Sequence, residues 1–127
     1  MTSEISRSIV QLHAELYGRG PTKAKTYMDP DYALCVLEEV FNPGEHTLIE
    51  HGNPEQVSDT RAAFQDAVSD RFVAMVERVT GRKVRAFISQ VHTDANVAAE
   101  LFLFEGDEGS PGAESAEAPV AVPQPEA

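Results

Sequence analysis

Apolar residues recur at Ile5, Ile9, Leu12 and Leu16, with Arg7, Gln11 and Glu15 between them. Steps of three and four predict an amphipathic helix over 4–17, opened by Ser3 and closed at Gly18. His13 stands beside Leu12 and reads as a histidine at the edge of the stripe, open to solvent. The period then shortens. Over 22–28 the small or apolar Ala24 and Met28 alternate with Lys23 and Lys25, as in a half-exposed strand. Asp29-Pro30-Asp31 is turn chemistry, since proline fixes φ and aspartate bonds the backbone beyond it. The apolar run 32–41 completes a hairpin. Two helix openings follow, Asn42-Pro43-Gly44-Glu45 and Asn53-Pro54-Glu55-Gln56. Each has a capping side chain, a proline at the first helical position and Glu or Gln three residues after the cap. The first predicts a short helix over 43–51, stopped by Gly52. The second predicts a long helix with Val57, Phe64, Val68, Phe72, Met75 and Val79 as its stripe, ending at Thr80-Gly81. A second hairpin follows, with strands 83–92 and 97–104 joined by Thr93-Asp94-Ala95-Asn96.

Segments 18–41 and 81–105 read as two copies of one unit. Each leaves a helix through glycine and arginine, carries basic residues into a strand, turns at an Asp-containing knot and returns along an apolar strand. The predicted class is α+β: a duplicated αββ unit forming a four-stranded antiparallel sheet with two main helices on one face. Residues 1–105 make one αββ-αββ domain, and 106–127 are expected to be a disordered acidic tail rich in Pro, Ala and Glu. Alternation in the last strand assigns Val97, Ala99, Leu101 and Leu103 to the helix side. Phe102 and Phe104, with Phe87 of the preceding strand, then fall on the other face. Aromatic side chains do not rest in water as a group. A homodimer using Phe87, Phe102 and Phe104 as its interface is the expected cover.

The chain has 127 residues and a net charge of −11. Six acids lie from Glu105 onward with no Lys or Arg, which leaves 15 acids and 10 bases in 1–104. A mildly acidic domain argues against general nucleic-acid binding. A single cysteine, Cys35, excludes an intrachain disulfide and a cysteine-built zinc site, and its apolar setting marks it as a buried hydrophobe. No stretch is apolar for long enough to span a membrane, and no leader pattern opens the chain. The expected location is cytoplasmic, peripheral to the membrane at most through a partner.

Candidate chemistry is sparse. Six of the ten bases, Arg19, Lys23, Lys25, Arg82, Lys83 and Arg85, cluster at the two helix-to-strand junctions. They suit an anion or an acidic partner; they equally suit helix C-termini, where cations meet free carbonyls. His92, Thr93 and Asp94 form a second polar group, at a turn whose composition is also that of an ordinary hairpin cap. His46 and His51, five residues apart, would point about 140° apart on a helix, a poor pair of metal ligands. No catalytic set, metal site or cofactor motif is specified.

Tyr17-Gly18-Arg19-Gly20-Pro21, Val79-Thr80-Gly81-Arg82-Lys83-Val84, His92-Thr93-Asp94 and Phe102-Leu103-Phe104 occur in that order. In these motifs residues 4–105 resemble the MpsC-like family, named for a proposed Na+-translocating, membrane-potential-generating system. The resemblance implies a soluble protein associated with a membrane system also linked to inorganic-carbon uptake. Two readings follow. One is a non-enzymatic interaction or regulatory protein, a homodimer with a membrane-protein partner. The alternative is a small-anion-binding protein or enzyme using the arginine-rich junctions and the His92/Asp94 turn.

Overall fold

A computed structural model describes residues 1–106, so the expected tail lies, beyond Gly106, outside the described residues. The first helix, α1 (Thr2–Tyr17), starts without a side-chain cap, and Ser3 lies inside it. It ends where Gly18 adopts φ 82, the left-handed conformation that lets its N–H reach the Ala14 carbonyl. Strands β1 (Lys23–Met28) and β2 (Tyr32–Glu38) form the first hairpin. Helix α2 (Pro43–Glu50) opens with the predicted reciprocal cap. The Asn42 side chain accepts from the Glu45 N–H at 2.8 Å, and the Glu45 carboxylate accepts from the Asn42 N–H at 3.0 Å. Helix α3 (Pro54–Thr80) runs 27 residues, about 40 Å at 1.5 Å per residue. Strands β3 (Val84–His92) and β4 (Val97–Phe104) complete the order.

β2 stops three residues short of the apolar run that predicted it. Glu39 takes φ 57 and its N–H turns to the Asn96 carbonyl at 2.9 Å. The Asn96 side chain then accepts from the N–H groups of Val40 and Phe41 at 2.8 and 3.3 Å. The turn between β3 and β4 therefore pins the exit of β2, and Val40 and Phe41 bury their side chains beyond the sheet.

The sheet is antiparallel in the order β1-β2-β4-β3. Directly paired residues share a face, so the register defines rows across all four strands. One set runs Ala24–Leu37–Ala98–Val91, Thr26–Cys35–Glu100–Ser89 and Met28–Ala33–Phe102–Phe87. These rows hold the buried members of β2 and β4, which share one core with Ile5 and Ile9 of α1 and Phe72, Met75 and Val76 of α3. The rings of Phe72, Phe87 and Phe102 stack through it, with centroids 5.5 and 4.6 Å apart.

This corrects the face assignment. Phe102 and Phe104 are 0% and 3% exposed within a single chain, and partly buried Phe87 packs against the same core. They lie under the helices, so their burial needs no second chain. The face that lacks this core carries Tyr27–Leu34–Leu101–Ile88 as its central row, with Tyr32, Leu103 and Ala86 beside it. Tyr27 and Ile88 are 47% and 48% exposed, and Leu34, Leu101 and Leu103 are half-buried.

Candidate functional site

Helical spacing on α1 and α3 brings polar residues into the core at one level of the sheet. On α1, His13 follows Ile5 and Ile9 in steps of four and is 1% exposed, not an edge residue as its neighbours suggested. On α3, Arg61 and Gln65 continue the step from Val57 and are 2% and 6% exposed. Beneath them Glu100 of β4 is fully buried. Its row, Thr26–Cys35–Glu100–Ser89, is a polar band through the helix-side face, and Thr26 bonds the Ser6 hydroxyl of α1 at 2.7 Å.

Each buried polar residue uses part of its bonding capacity on the fold. His13 Nε2 meets Glu100 Oε1 at 3.0 Å; with Glu100 as a carboxylate, the ring N–H donates. Arg61 donates from Nε and Nη2 to the two oxygens of Glu45, both at 2.6 Å, and from Nη2 to the Val40 carbonyl at 2.8 Å. Its guanidinium also lies 3.6 Å from the Tyr17 ring centroid, a stacked geometry available to arginine and not to lysine. Gln65 Nε2 donates to the Tyr17 hydroxyl at 3.3 Å. Thus α1, α2 and α3 are tied together through one guanidinium.

The surroundings shift three groups. Burial pushes the Glu45 carboxyl up, but the Arg61 hydrogen bond, the Asn42 N–H and the charges of Arg61 and His46 outweigh it, leaving Glu45 below the usual carboxylate value. Burial raises the Tyr17 hydroxyl against the opposing Arg61 charge. Burial also raises the Cys35 thiol, opposed in part by a hydrogen bond with Thr26, so Cys35 is the inert core residue expected.

Four atoms remain. His13 Nδ1, Arg61 Nη1, Gln65 Oε1 and Glu100 Oε2 are buried and have no hydrogen-bond partner among the described residues. All four residues line one cavity of about 190 Å³, bounded by α1, α3, β3 and β4. Asp59, Ala62 and Gln90 form its exposed rim. An unmet buried polar group costs about 1–3 kcal/mol, so these atoms call for an occupant that bonds them, and the cavity has room for water or a small polar ligand.

The other predicted residues are spread over the sheet. Arg19 donates to the Phe41 carbonyl at 3.3 Å and lies 3.4 Å from that of Gly20. Arg82 donates to the Glu105 carbonyl at 3.3 Å and covers the Phe104 ring at 4.8 Å. Arg85 bonds the Phe104 carbonyl at 3.1 Å. Lys23, Lys25 and Lys83 are exposed. β1 and β3 are the two outer strands, and Lys23 pairs at the Glu38–Val97–His92 end, whereas Val84 pairs with Phe104 at the other. The two basic junctions therefore sit at opposite corners of the chain and do not converge. His92 Nδ1 accepts from the Ala95 N–H at 3.1 Å, which closes its own turn with Thr93 and Asp94. Among the described residues no group of three or more His, Cys, Asp or Glu is arranged to hold a metal.

The sequence did carry a signal for the buried cluster. Positions 57, 61, 65, 68 and 72 keep helical spacing, as do 5, 9, 13 and 16, so polar residues were continuing both stripes.

The family described as the Na+-translocating membrane potential-generating system (MpsC) matches residues 1–106. A protein of Bacillus subtilis (strain 168) named uncharacterized protein YbcI is 30% identical over 95 residues, 72% of each chain. No solved structure matches this chain. The match spans the helices, the sheet and the polar cluster, and the chain belongs to the MpsC family.

Proposed function

We propose that this chain is a non-enzymatic interaction protein serving a membrane ion system, and that it works as a symmetric pair joined through the open face of its sheet. The observation that carries this reading is the row Tyr27–Leu34–Leu101–Ile88 with its flanking Tyr32 and Leu103, an apolar surface remote from the core that α1 and α3 share. The family description supplies the membrane system. No described helix is long and apolar enough to cross a membrane, which favours docking on such a system over forming its path.

A second copy is the occupant that fits. Four strands at about 4.8 Å and seven residues at about 3.4 Å give a flat footprint of roughly 450 Å² per chain. A pair then covers about 900 Å² before side-chain relief is counted, close to the lower limit of a specific interface. The two rows without charge make up about half of that footprint, so a two-fold axis can lay them against their own copies with Lys23, Lys25 and Glu38 toward the rim, Lys25 Nζ lying 5.0 Å from the Tyr27 ring centroid. The anion-binding alternative draws no support from the separated junctions or from the self-contained His92 turn.

The test is Leu101→Asp, in the centre of the face. The variant should fold, with a far-UV spectrum like the parent, and should stay monomeric at concentrations where the parent pairs. Equal masses for parent and variant at every concentration would defeat the proposal.

A further inference from the structure

The cavity under α1 and α3 offers chemistry that the pairing of sheets does not use. Its four unpartnered atoms come from residues at least nine-tenths buried and bordering one space. As placed, Gln65 Oε1 and Glu100 Oε2 are acceptors, and Arg61 Nη1 is a donor. With Nε2–H directed at Glu100, His13 Nδ1 is an acceptor too. Three acceptors therefore face one donor.

The charges agree with that count. The two hydrogen bonds from Arg61 to Glu45 offset its positive charge. Glu100 inside and Asp59 at the rim add negative charge, and neutral His13 adds none to offset it. A bare oxyanion would find one hydrogen-bond donor and two carboxylates. An ammonium group, with three N–H donors, finds three acceptors.

We propose that this cavity binds a small primary amine that also carries an oxygen acceptor, the simplest case being a short amino acid. The ammonium bonds Glu100 Oε2, Gln65 Oε1 and His13 Nδ1, and the ligand's oxygen takes the free N–H of Arg61. Size limits the choice. At about 30 Å³ per water-sized unit, the 190 Å³ cavity holds about six non-hydrogen atoms, the size of alanine. Anything longer must run out along the groove between α3 and β3, which shares Ala62, Gln65, Ser89 and Gln90 with the cavity. The rim residues Asp59 and Gln90 give such a ligand a polar way in from solvent. The site would make the protein responsive to a metabolite, independently of whether two chains pair.

The experiment is calorimetric titration of the full chain with glycine, L-alanine and ethanolamine, and with methylammonium and acetate as half-ligands. At least one of the first three should bind, and each half-ligand should bind about tenfold or more weakly, because methylammonium forfeits the Arg61 contact and acetate forfeits the three contacts of the ammonium. Glu100→Gln should weaken binding about tenfold or more. Gln65→Met should do the same while keeping the side-chain volume, and serves if the first variant does not fold. No binding by any amine up to about 50 mM, where ΔG° is already weaker than about −2 kcal/mol, would overturn the proposal. So would acetate binding as tightly as alanine, or both variants binding as the parent does.

Discussion

Removing Arg61 should cost the fold more than any other surface-coded charge in the sequence. Arg61 is 3% exposed at its side chain and Glu45 15%, and two bonds of 2.6 Å join them. A third bond, 2.8 Å to the Val40 carbonyl, holds the segment between β2 and α2. Arg61→Ala leaves the Glu45 carboxylate without its partner in a mostly buried place and frees the Val40 carbonyl. Breaking a buried pair from one side costs about 3–5 kcal/mol; the remaining access of Glu45 to water pulls the estimate toward the lower figure. Arg61→Lys retains the charge but loses the fork and the stacking on Tyr17, and should recover only part of the loss. Urea denaturation followed by far-UV circular dichroism measures both, and combining each with Glu45→Gln isolates the pair. A coupling energy of about 1.5–3 kcal/mol is expected from charged hydrogen bonds. A loss below about 1 kcal/mol for Arg61→Ala, or a lysine variant as stable as the parent, would refute the assignment of Arg61 as the tie between the three helices.

Acid should act through the same pair. The folded Glu45 pKa is depressed, so its contribution is fully present above the ordinary carboxylate value and is lost as pH falls through the folded value. Glu45→Gln, less stable at neutral pH, should therefore lose less stability than the parent between about pH 5 and about pH 3; parallel pH profiles would contradict this. Phe102→Ala should cost about 3–5 kcal/mol in melting experiments by opening the ring stack with Phe72 and Phe87. It should leave pairing of the folded fraction intact. Selective loss of pairing at unchanged stability would return Phe102 to an interface.

Local chemistry made most elements readable. The Asn42–Glu45 cap, the glycine exits at Gly18 and Gly81 and both hairpin turns depend on residues within a few positions of each other. The side of the sheet was not readable from alternation, because both faces of β4 are apolar and the one acid, Glu100, points inward. A glutamate is ordinarily a marker of solvent. Here its partner is His13, 87 residues away, and no local pattern joins them. The same distance effect hid Arg61, whose anchor Glu45 reads locally as a capping residue and also serves as one. The bases at Arg19 and Arg82 were visible, but their separation follows from the strand order, which places β1 and β3 on opposite edges.

The proposed pairing is tested most directly by sedimentation equilibrium of the unmodified 127-residue chain, from about 1 to several hundred micromolar, a range suited to an interface of modest area. The account predicts a rise from the chain mass to twice that mass within this range, with no larger species. A chain that stays at its monomer mass throughout would contradict it.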